Sequence, residues 1–359
     1  MKHVRQLVFV AALLALVPAL TLPLAGPAEA QIIPLPNVSP HSVVTGTVGL
    51  TEVTIDYHSP GVKERPIWGA LVPWDAVWRA GANQNTVITF SHPVQIEGQD
   101  LAAGSYGLHM IPTEGNWTVI FSRNHSSWGS FSYNEEEDAL RVTVTPGTGE
   151  HEEWLRYGFT DLTDRSATAY LAWEKVRVPF EIATDTPAIV IQTARDQLRS
   201  MPGFFWRDFF RAANWVLQND GDDPESVEQA LEWADASIQR EERFSNLRLK
   251  ARLLAKLDRD PEEQETLMAR AAEIATEPEM NALGYQHLQA GDADKAVEVF
   301  RTNLERHPES WNCHDSLGEG LAAAGHTEEA IANYQKALEM APEGQHARIE
   351  GVLEGLEAD

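Results

Sequence analysis

The sequence predicts two structural classes in one chain, an all-β antiparallel sandwich or barrel followed by an all-α solenoid. The first half contains short alternating segments separated by glycine- and proline-rich turns, a spacing that is typical of antiparallel sheets. The second half has apolar residues at helical spacing and repeats itself after about 34 residues. We expect residues 31–183 to form a β domain, 184–203 a linker with a short helix, and 204–359 a helical repeat domain.

In the β half, Val53, Ile55 and Tyr57 alternate with polar residues, which predicts a half-buried strand. Glu97–Asp100 and Pro112–Gly115 carry turn residues and predict hairpins. The further expected strands lie at 86–90, 94–96, 106–111, 117–121, 140–144, 154–159 and 167–180. Ser59–Pro73 is too rich in glycine and proline for regular structure. The acidic runs Glu135–Asp138 and Glu150–Glu153 are interpreted as solvated loop edges.

Several segments of the β half form a recognisable set. They are Asp56–Lys63, Arg65–Gly69, Val77–Asn83, Ala103–Leu108 and Trp117–Phe121. Together they resemble an exported bacterial family known as domain of unknown function 2911, and the resemblance covers roughly residues 38–182. It implies a β-rich extracytoplasmic domain and supplies no activity.

In the helical half, residues 280–313 and 314–347 carry the same pattern twice. The matching positions are Leu283 with Leu317, Gly284 with Gly318, Gly291 with Gly325, Ala296 with Ala330, Phe300 with Tyr334, and Pro308 with Pro342. This pattern resembles the tetratricopeptide repeat, a helix–turn–helix unit of about 34 residues. The resemblance implies a scaffold that binds a protein or peptide, because stacked helix pairs create an extended concave surface.

The segments around these two repeats are less regular. We expect helices at 189–200 and 204–218, a degenerate helix pair at 247–257 and 262–275, and a closing helix at 345–356. Cys313 falls inside a repeat helix and is interpreted as a buried apolar residue. As the chain has one cysteine, it cannot form an internal disulfide.

Charge and the first residues of the chain bear on its location. The formal net charge is −26, from 54 acidic and 28 basic residues, which argues against nucleic-acid binding. Lys2 and Arg5, the apolar stretch Leu7–Leu24 and the small residues of Ala28–Ala30 predict a signal peptide at residues 1–30, cleaved near Ala30/Gln31. No later segment is long and apolar enough to span a bilayer. We therefore expect a periplasmic or secreted protein.

The loops from His58 to Asn83 are the candidate ligand site of the β half. They combine cations and indole rings on irregular backbone, as ligand-binding loops often do. The candidate residues are His58, Lys63, Arg65, Trp78, Arg79, Asn83 and, on a later strand, His109. A purely structural interpretation is also open, since arginine–tryptophan stacking alone explains such residue choices.

The candidate partner site lies on the first helices of the two clear repeats. Their polar residues are Tyr285, Gln286, Gln289, Asn312, Asp315 and Glu319. No hydrolase or phosphate-binding motif is present, and no short-spaced histidine pair indicates a metal, so no cofactor is expected. The sequence favours an exported, non-enzymatic scaffold. The alternative is a small-ligand or glycan binder, or an enzyme, that uses the His58–Asn83 loops with the repeats as a docking arm.

Overall fold

The computed structural model describes residues 36–358, and the predicted signal peptide lies outside this range. All strands fall between His41 and Ala183, and the α-helices fall between Thr186 and Ala358. This order confirms the predicted fold class, a β region (residues 36–183) followed by a helical region (residues 184–358).

Ten strands build the β region. They are β1 (His41–Val48), β2 (Thr51–His58), β3 (Thr86–Phe90), β4 (Val94–Ile96), β5 (Gln99–Leu101), β6 (Gly104–Ile111), β7 (Trp117–Ser122), β8 (Asp138–Val144), β9 (Gly147–Thr160) and β10 (Ser166–Ala183). They form a six-stranded sheet in the order β1-β2-β3-β6-β7-β8 and a four-stranded sheet in the order β5-β4-β10-β9. Neighbouring strands are antiparallel.

The two sheets share one apolar core. In β2, Val53, Ile55 and Tyr57 are buried while the residues between them are not, as the alternation predicts. Phe121 of the larger sheet and Phe180 of the smaller sheet are both buried, and their ring centroids lie 5.9 Å apart. Such contacts between the inner faces of two antiparallel sheets define a sandwich.

Three features of the β region differ from the predictions. The strand β1 was not predicted, because it is an edge strand whose residues are mostly exposed or half-buried and so show weak alternation. The run Glu150–Glu153 is not a loop edge; it lies inside β9, where an edge position lets a strand carry exposed charges. Asp138, predicted to be solvated, is partly buried and accepts a hydrogen bond of 2.6 Å from the Tyr133 hydroxyl.

Ten α-helices follow. They are α1 (Thr186–Gln197), α2 (Trp206–Asn219), α3 (Pro224–Arg240), α4 (Phe244–Lys256), α5 (Pro261–Ile274), α6 (Glu277–Gln289), α7 (Ala293–Arg306), α8 (Trp311–Ala323), α9 (Thr327–Met340) and α10 (Glu343–Ala358). Consecutive helices pack as antiparallel pairs, α2 with α3, α4 with α5, α6 with α7 and α8 with α9, and α10 packs on α9.

The segment predicted as a linker carries the helix α1, which begins three residues earlier than expected. The Asp185 carboxylate accepts a hydrogen bond from the Ala188 N–H, and Pro187 stands in the first turn, so the helix has a complete start signal at this point. Ile191 of α1 packs into the same apolar cluster as Phe209 of α2. The helix therefore joins the core of the helical region.

The repeated glycine and aromatic positions fit into each other as the 34-residue pattern predicts. A methyl group on Gly284 of α6 would overlap the ring of Phe300 on α7, and one on Gly318 of α8 would lie 3.0 Å from the Tyr334 ring on α9. The glycine of each pair thus lets two helices approach closely around a buried aromatic ring. Gly291, with a φ of +80°, makes the turn between α6 and α7 in a conformation that disfavours other residues.

Candidate functional site

The loops between β2 and β3 form a wall of a cleft in the β region. The cleft has a volume of about 260 Å³ and contains four of the seven candidate residues, Lys63, Arg65, Trp78 and Arg79. Apart from Ser39, its other lining residues are apolar or glycine, among them Leu71 and Trp173. The structure therefore brings the candidate cations and one candidate indole into a common space.

Backbone hydrogen bonds hold these loops against both sheets. The Val62 N–H donates to the Glu153 carbonyl on β9 at 2.8 Å. Trp78 and Met110 of β6 exchange two backbone hydrogen bonds, each of 2.8 Å. A segment without regular structure is in this way fixed at two points, so the side chains that it presents are positioned by the sandwich.

Four tryptophans form a cluster behind the cleft, and two of them, Trp78 and Trp173, line it. The ring centroid of Trp68 lies 4.9 Å from that of Trp117, 5.8 Å from that of Trp78 and 5.8 Å from that of Trp173. The rings of Trp78 and Trp173 are stacked at 5.9 Å. Large rings in mutual contact resist rearrangement, so this cluster gives the cleft a rigid wall. The indole N–H groups of Trp68 and Trp173 are buried and have no acceptor within residues 36–358.

Lys63 and Arg65 stand at one side of the cleft, next to β9. The Arg65 guanidinium donates to the carbonyl of Val62 at 3.0 Å and to that of Gly61 at 2.6 Å. The Lys63 ammonium lies 5.6 Å from the Trp154 ring centroid. The φ angle of Lys63 is +49°, a left-handed conformation that costs a non-glycine residue on the order of 1 kcal/mol and is found more often at functional sites.

Arg79 stands at the other side, between the cleft and an aromatic loop. Its guanidinium donates to the Asn83 carbonyl at 2.5 Å and lies 5.3 Å from the Trp128 ring and 6.0 Å from the Phe131 ring. Burial lowers the pKa of Arg79, because a guanidinium removed from water loses hydration. The exposed fractions of Trp128 and Phe131 are 59% and 83%, so the two rings shield the cation while facing solvent themselves.

The cleft is electrostatically unlike the rest of the chain. Its lining includes three cations and no Asp or Glu, in a protein with a net charge of −26. Within residues 36–358, none of the three cations forms an ion pair. In the described part of the chain, one carboxylate contacts this group of residues, that of Glu153, which accepts from the Lys63 backbone N–H at 2.9 Å.

The remaining three candidate residues of the β half do not line the cleft. The His58 ring lies 5.3 Å from the His41 ring, and burial, followed by the charge of His41, lowers the pKa of His58. His109 is buried on β6 and its Nδ1 lies 3.1 Å from the Ser130 hydroxyl. Burial, followed by the charge of Arg79, lowers the pKa of His109 to about 4. The Asn83 amide donates to the Ser39 carbonyl at 3.4 Å, which ties the loop to the residues before β1.

Sequence reasoning missed several residues around the cleft. Trp173 belongs to β10, Trp154 to β9, and Trp128 and Phe131 to the loop between β7 and β8. Only the last two gave a signal in the sequence, because large aromatic residues in a serine- and glycine-rich loop are unusual unless they are covered or used.

Among residues 36–358, no group of three or more histidine, cysteine or acidic side chains is arranged to hold a metal ion. None of the helices in this range is sufficiently long and apolar for a membrane span.

The candidate partner residues lie on successive first helices. The Tyr285 hydroxyl of α6 donates to the Glu319 carboxylate of α8 at 2.8 Å. Gln286 accepts from Arg248 of α4 at 2.9 Å. The side chains of Gln289 and Glu319 are exposed, and that of Asn312 is half-buried.

Asp315 differs from the other candidate partner residues. It was predicted to face a groove, yet it is buried and accepts a hydrogen bond of 2.8 Å from Arg348 of α10. Since α10 follows the last repeat, Asp315 serves to attach the closing helix.

These features define a class of protein, a β-sandwich joined to helix pairs of the tetratricopeptide type. Residues 39–182 match the family described as "Protein of unknown function (DUF2911)", which confirms the resemblance of the β half. No curated protein matches the chain.

Solved structures resemble the helical region weakly. A MamA fragment from Desulfovibrio magneticus RS-1 is 16% identical with a TM-score of 0.28, covering 43% of this chain and 84% of its own. YrrB, described as a TPR protein with an unusual peptide-binding site, is 17% identical with a TM-score of 0.28, covering 46% and 84%. A thermophilic TPR protein of Thermus thermophilus is 18% identical with a TM-score of 0.24, covering 48% and 100%. The repeat assignment rests on the packing of α6–α9.

Proposed function

We propose that this protein is an exported bacterial scaffold whose helical repeats bind a peptide or protein partner along the first-helix face. The observation that carries the proposal is the alignment of α4, α6 and α8. Side-chain hydrogen bonds connect α4 to α6 through Arg248 and Gln286, and α6 to α8 through Tyr285 and Glu319. First helices aligned in this way present one continuous surface, which is how stacked helix pairs bind extended partners.

The surface offers polar groups suited to reading a peptide backbone. Gln289 and Glu319 are exposed on it, and both carry groups that can accept hydrogen bonds, while the amide of Gln289 can also donate.

Site-specific photocrosslinking tests the partner surface. A photoreactive amino acid at Gln289, on the first-helix face, is compared with the same group at Glu298, an exposed position on the second helix α7. We expect a crosslink to one reproducible partner from position 289 and none from position 298. Equal crosslinking from both positions, or none from either in the folded protein, would contradict the proposal.

Export is proposed from the first thirty residues and has a separate test. The protein is expressed from its full-length gene, and the product is recovered from the periplasm and the medium for determination of its first residue. We expect a chain that begins near Gln31, because the small residues before it suit signal peptidase. An uncleaved chain confined to the cytoplasm would refute this part of the proposal.

A further inference from the structure

We infer that the cleft lined by Lys63, Arg65 and Arg79 binds the carboxylate or phosphate group of a small, monosaccharide-sized molecule. The site belongs to the β region and does not depend on the partner of the repeats, so it goes beyond the proposed scaffold function.

The lining of the cleft is positively charged. It includes three cationic residues and no carboxylate. Like charges on one surface repel one another, and the nearest carboxylate contact, that of Glu153 with the Lys63 backbone N–H, lies outside the lining. An anionic ligand supplies the missing negative charge.

The three cationic side chains keep hydrogen-bond donors that they do not use on the protein. Within residues 36–358, Arg65 uses its Nε and Nη2 atoms on two carbonyls, and Arg79 uses Nη1 on one. A guanidinium has five N–H donors and an ammonium has three, so both arginines and Lys63 keep donors for a ligand. Oxyanions are the acceptors that arginine binds best, since its parallel N–H groups match two oxygen atoms.

The cationic side chains are held in place before any ligand binds. Two carbonyls hold the Arg65 guanidinium, and the Asn83 carbonyl, with the Trp128 ring beside it, holds that of Arg79. Lys63 follows the anchored residue Val62 and lies near the ring of Trp154. Donors fixed in this way lose little conformational entropy on binding.

The apolar walls and the size of the cleft restrict the uncharged part of the ligand. The cleft is walled by the stacked rings of Trp78 and Trp173 and by Leu71. Trp173 is 1% exposed and supports the ring of the half-buried Trp78, so Trp78 and Leu71 are the apolar groups that face a sugar ring or another flat group. A volume of about 260 Å³ lies just below the usual range for small-molecule sites, roughly 300–1,000 Å³, and therefore limits the ligand to about one sugar unit.

Calorimetric titration of the full chain with matched probes tests the inference. The probes are glucuronate, which carries a carboxylate, glucose 6-phosphate, which carries a phosphate, and neutral glucose. We expect at least one anionic probe to bind, glucose to bind much more weakly, and added salt to weaken the anionic binding. Comparison of the two anionic probes shows whether the site prefers a carboxylate or a phosphate.

Two variants locate the binding. Lys63→Gln removes a cleft cation, and Lys295→Gln removes an exposed cation of α7 with the same change in net charge. We expect Lys63→Gln to raise the Kd by about tenfold or more, and Lys295→Gln to leave it unchanged. The inference is overturned if neither anionic probe binds at millimolar concentration, if glucose binds equally well, or if both variants weaken binding alike. Circular dichroism confirms that each variant is folded.

Discussion

The close approach of α6 and α7 predicts opposite effects for one substitution made at two helical glycines. Gly284 faces the ring of Phe300, whereas an added methyl group at Gly351, inside α10, would meet no atom within 4 Å. Both residues lie in helices, so the gain in helix propensity on changing glycine to alanine is the same. The two substitutions differ only in what the new methyl group contacts.

The magnitudes follow from these surroundings. Replacing glycine by alanine in a helix stabilises it by about 1 kcal/mol. At Gly284 the methyl group overlaps a ring that is itself 1% exposed and cannot move into solvent, and overpacking of this kind costs about 1–3 kcal/mol. We expect Gly351→Ala to raise the free energy of unfolding by about 1 kcal/mol. Gly284→Ala should lower it by up to about 2 kcal/mol.

Urea unfolding of the full chain, followed by the helical circular dichroism signal, measures both effects. The Gly284→Ala variant should unfold at lower urea than the parent protein, and the Gly351→Ala variant at higher urea. In the double variant Gly284→Ala/Phe300→Leu, the smaller side chain should remove part of the overlap. If Gly284→Ala stabilises the protein as much as Gly351→Ala does, the packing argument for the repeats is wrong.

Three further predictions concern single residues. Arg348→Ala leaves the buried Asp315 carboxylate without its hydrogen-bond partner, so we expect the free energy of unfolding to fall by about 1–3 kcal/mol. Hydrogen-exchange mass spectrometry should also show faster amide exchange in α10. Because the folded-state pKa of His109 is lowered from 6.5 to about 4, the unfolded chain alone takes up this proton as pH falls from 6.5 to 4. The contribution of neutral His109 to the free energy of unfolding should therefore be complete above pH 6.5 and decline as the pH falls to 4, by on the order of 3 kcal/mol. Urea unfolding of the His109→Gln variant over the same pH range should lack this part of the decline. Cys313 is buried and its thiol pKa is raised to about 11, mainly by burial, so iodoacetamide should label it only after urea unfolds the repeats.

The sequence predicted the helical repeats well because their packing depends on residues at a fixed spacing. Gly284 and Phe300 contact each other within one repeat, and Gly318 with Tyr334 repeats the contact one period later. Contacts of this kind are short in sequence and recur, so a single chain displays them. The helix α1 begins at Thr186, before the predicted start, because Asp185 caps it and Pro187 fits its first turn.

The cleft could be predicted only in part. The loop cations were identified because they lie close together in sequence, from Lys63 to Arg79. Trp173 and Trp154 reach the same place from strands β10 and β9, and only the strand order of the smaller sheet brings them there. For the same reason, nothing in the sequence showed that His58 and His109 would lie outside the cleft.

A double-mutant cycle between Tyr285 and Glu319 tests most directly whether first helices of successive repeats stand side by side. The free energies of unfolding are measured for Tyr285→Phe, Glu319→Gln and the double variant. The hydrogen bond of 2.8 Å between the two side chains predicts a coupling energy of about 0.5–1.5 kcal/mol. Strictly additive effects would mean that the two side chains do not meet, and the proposed binding face would then have no structural basis.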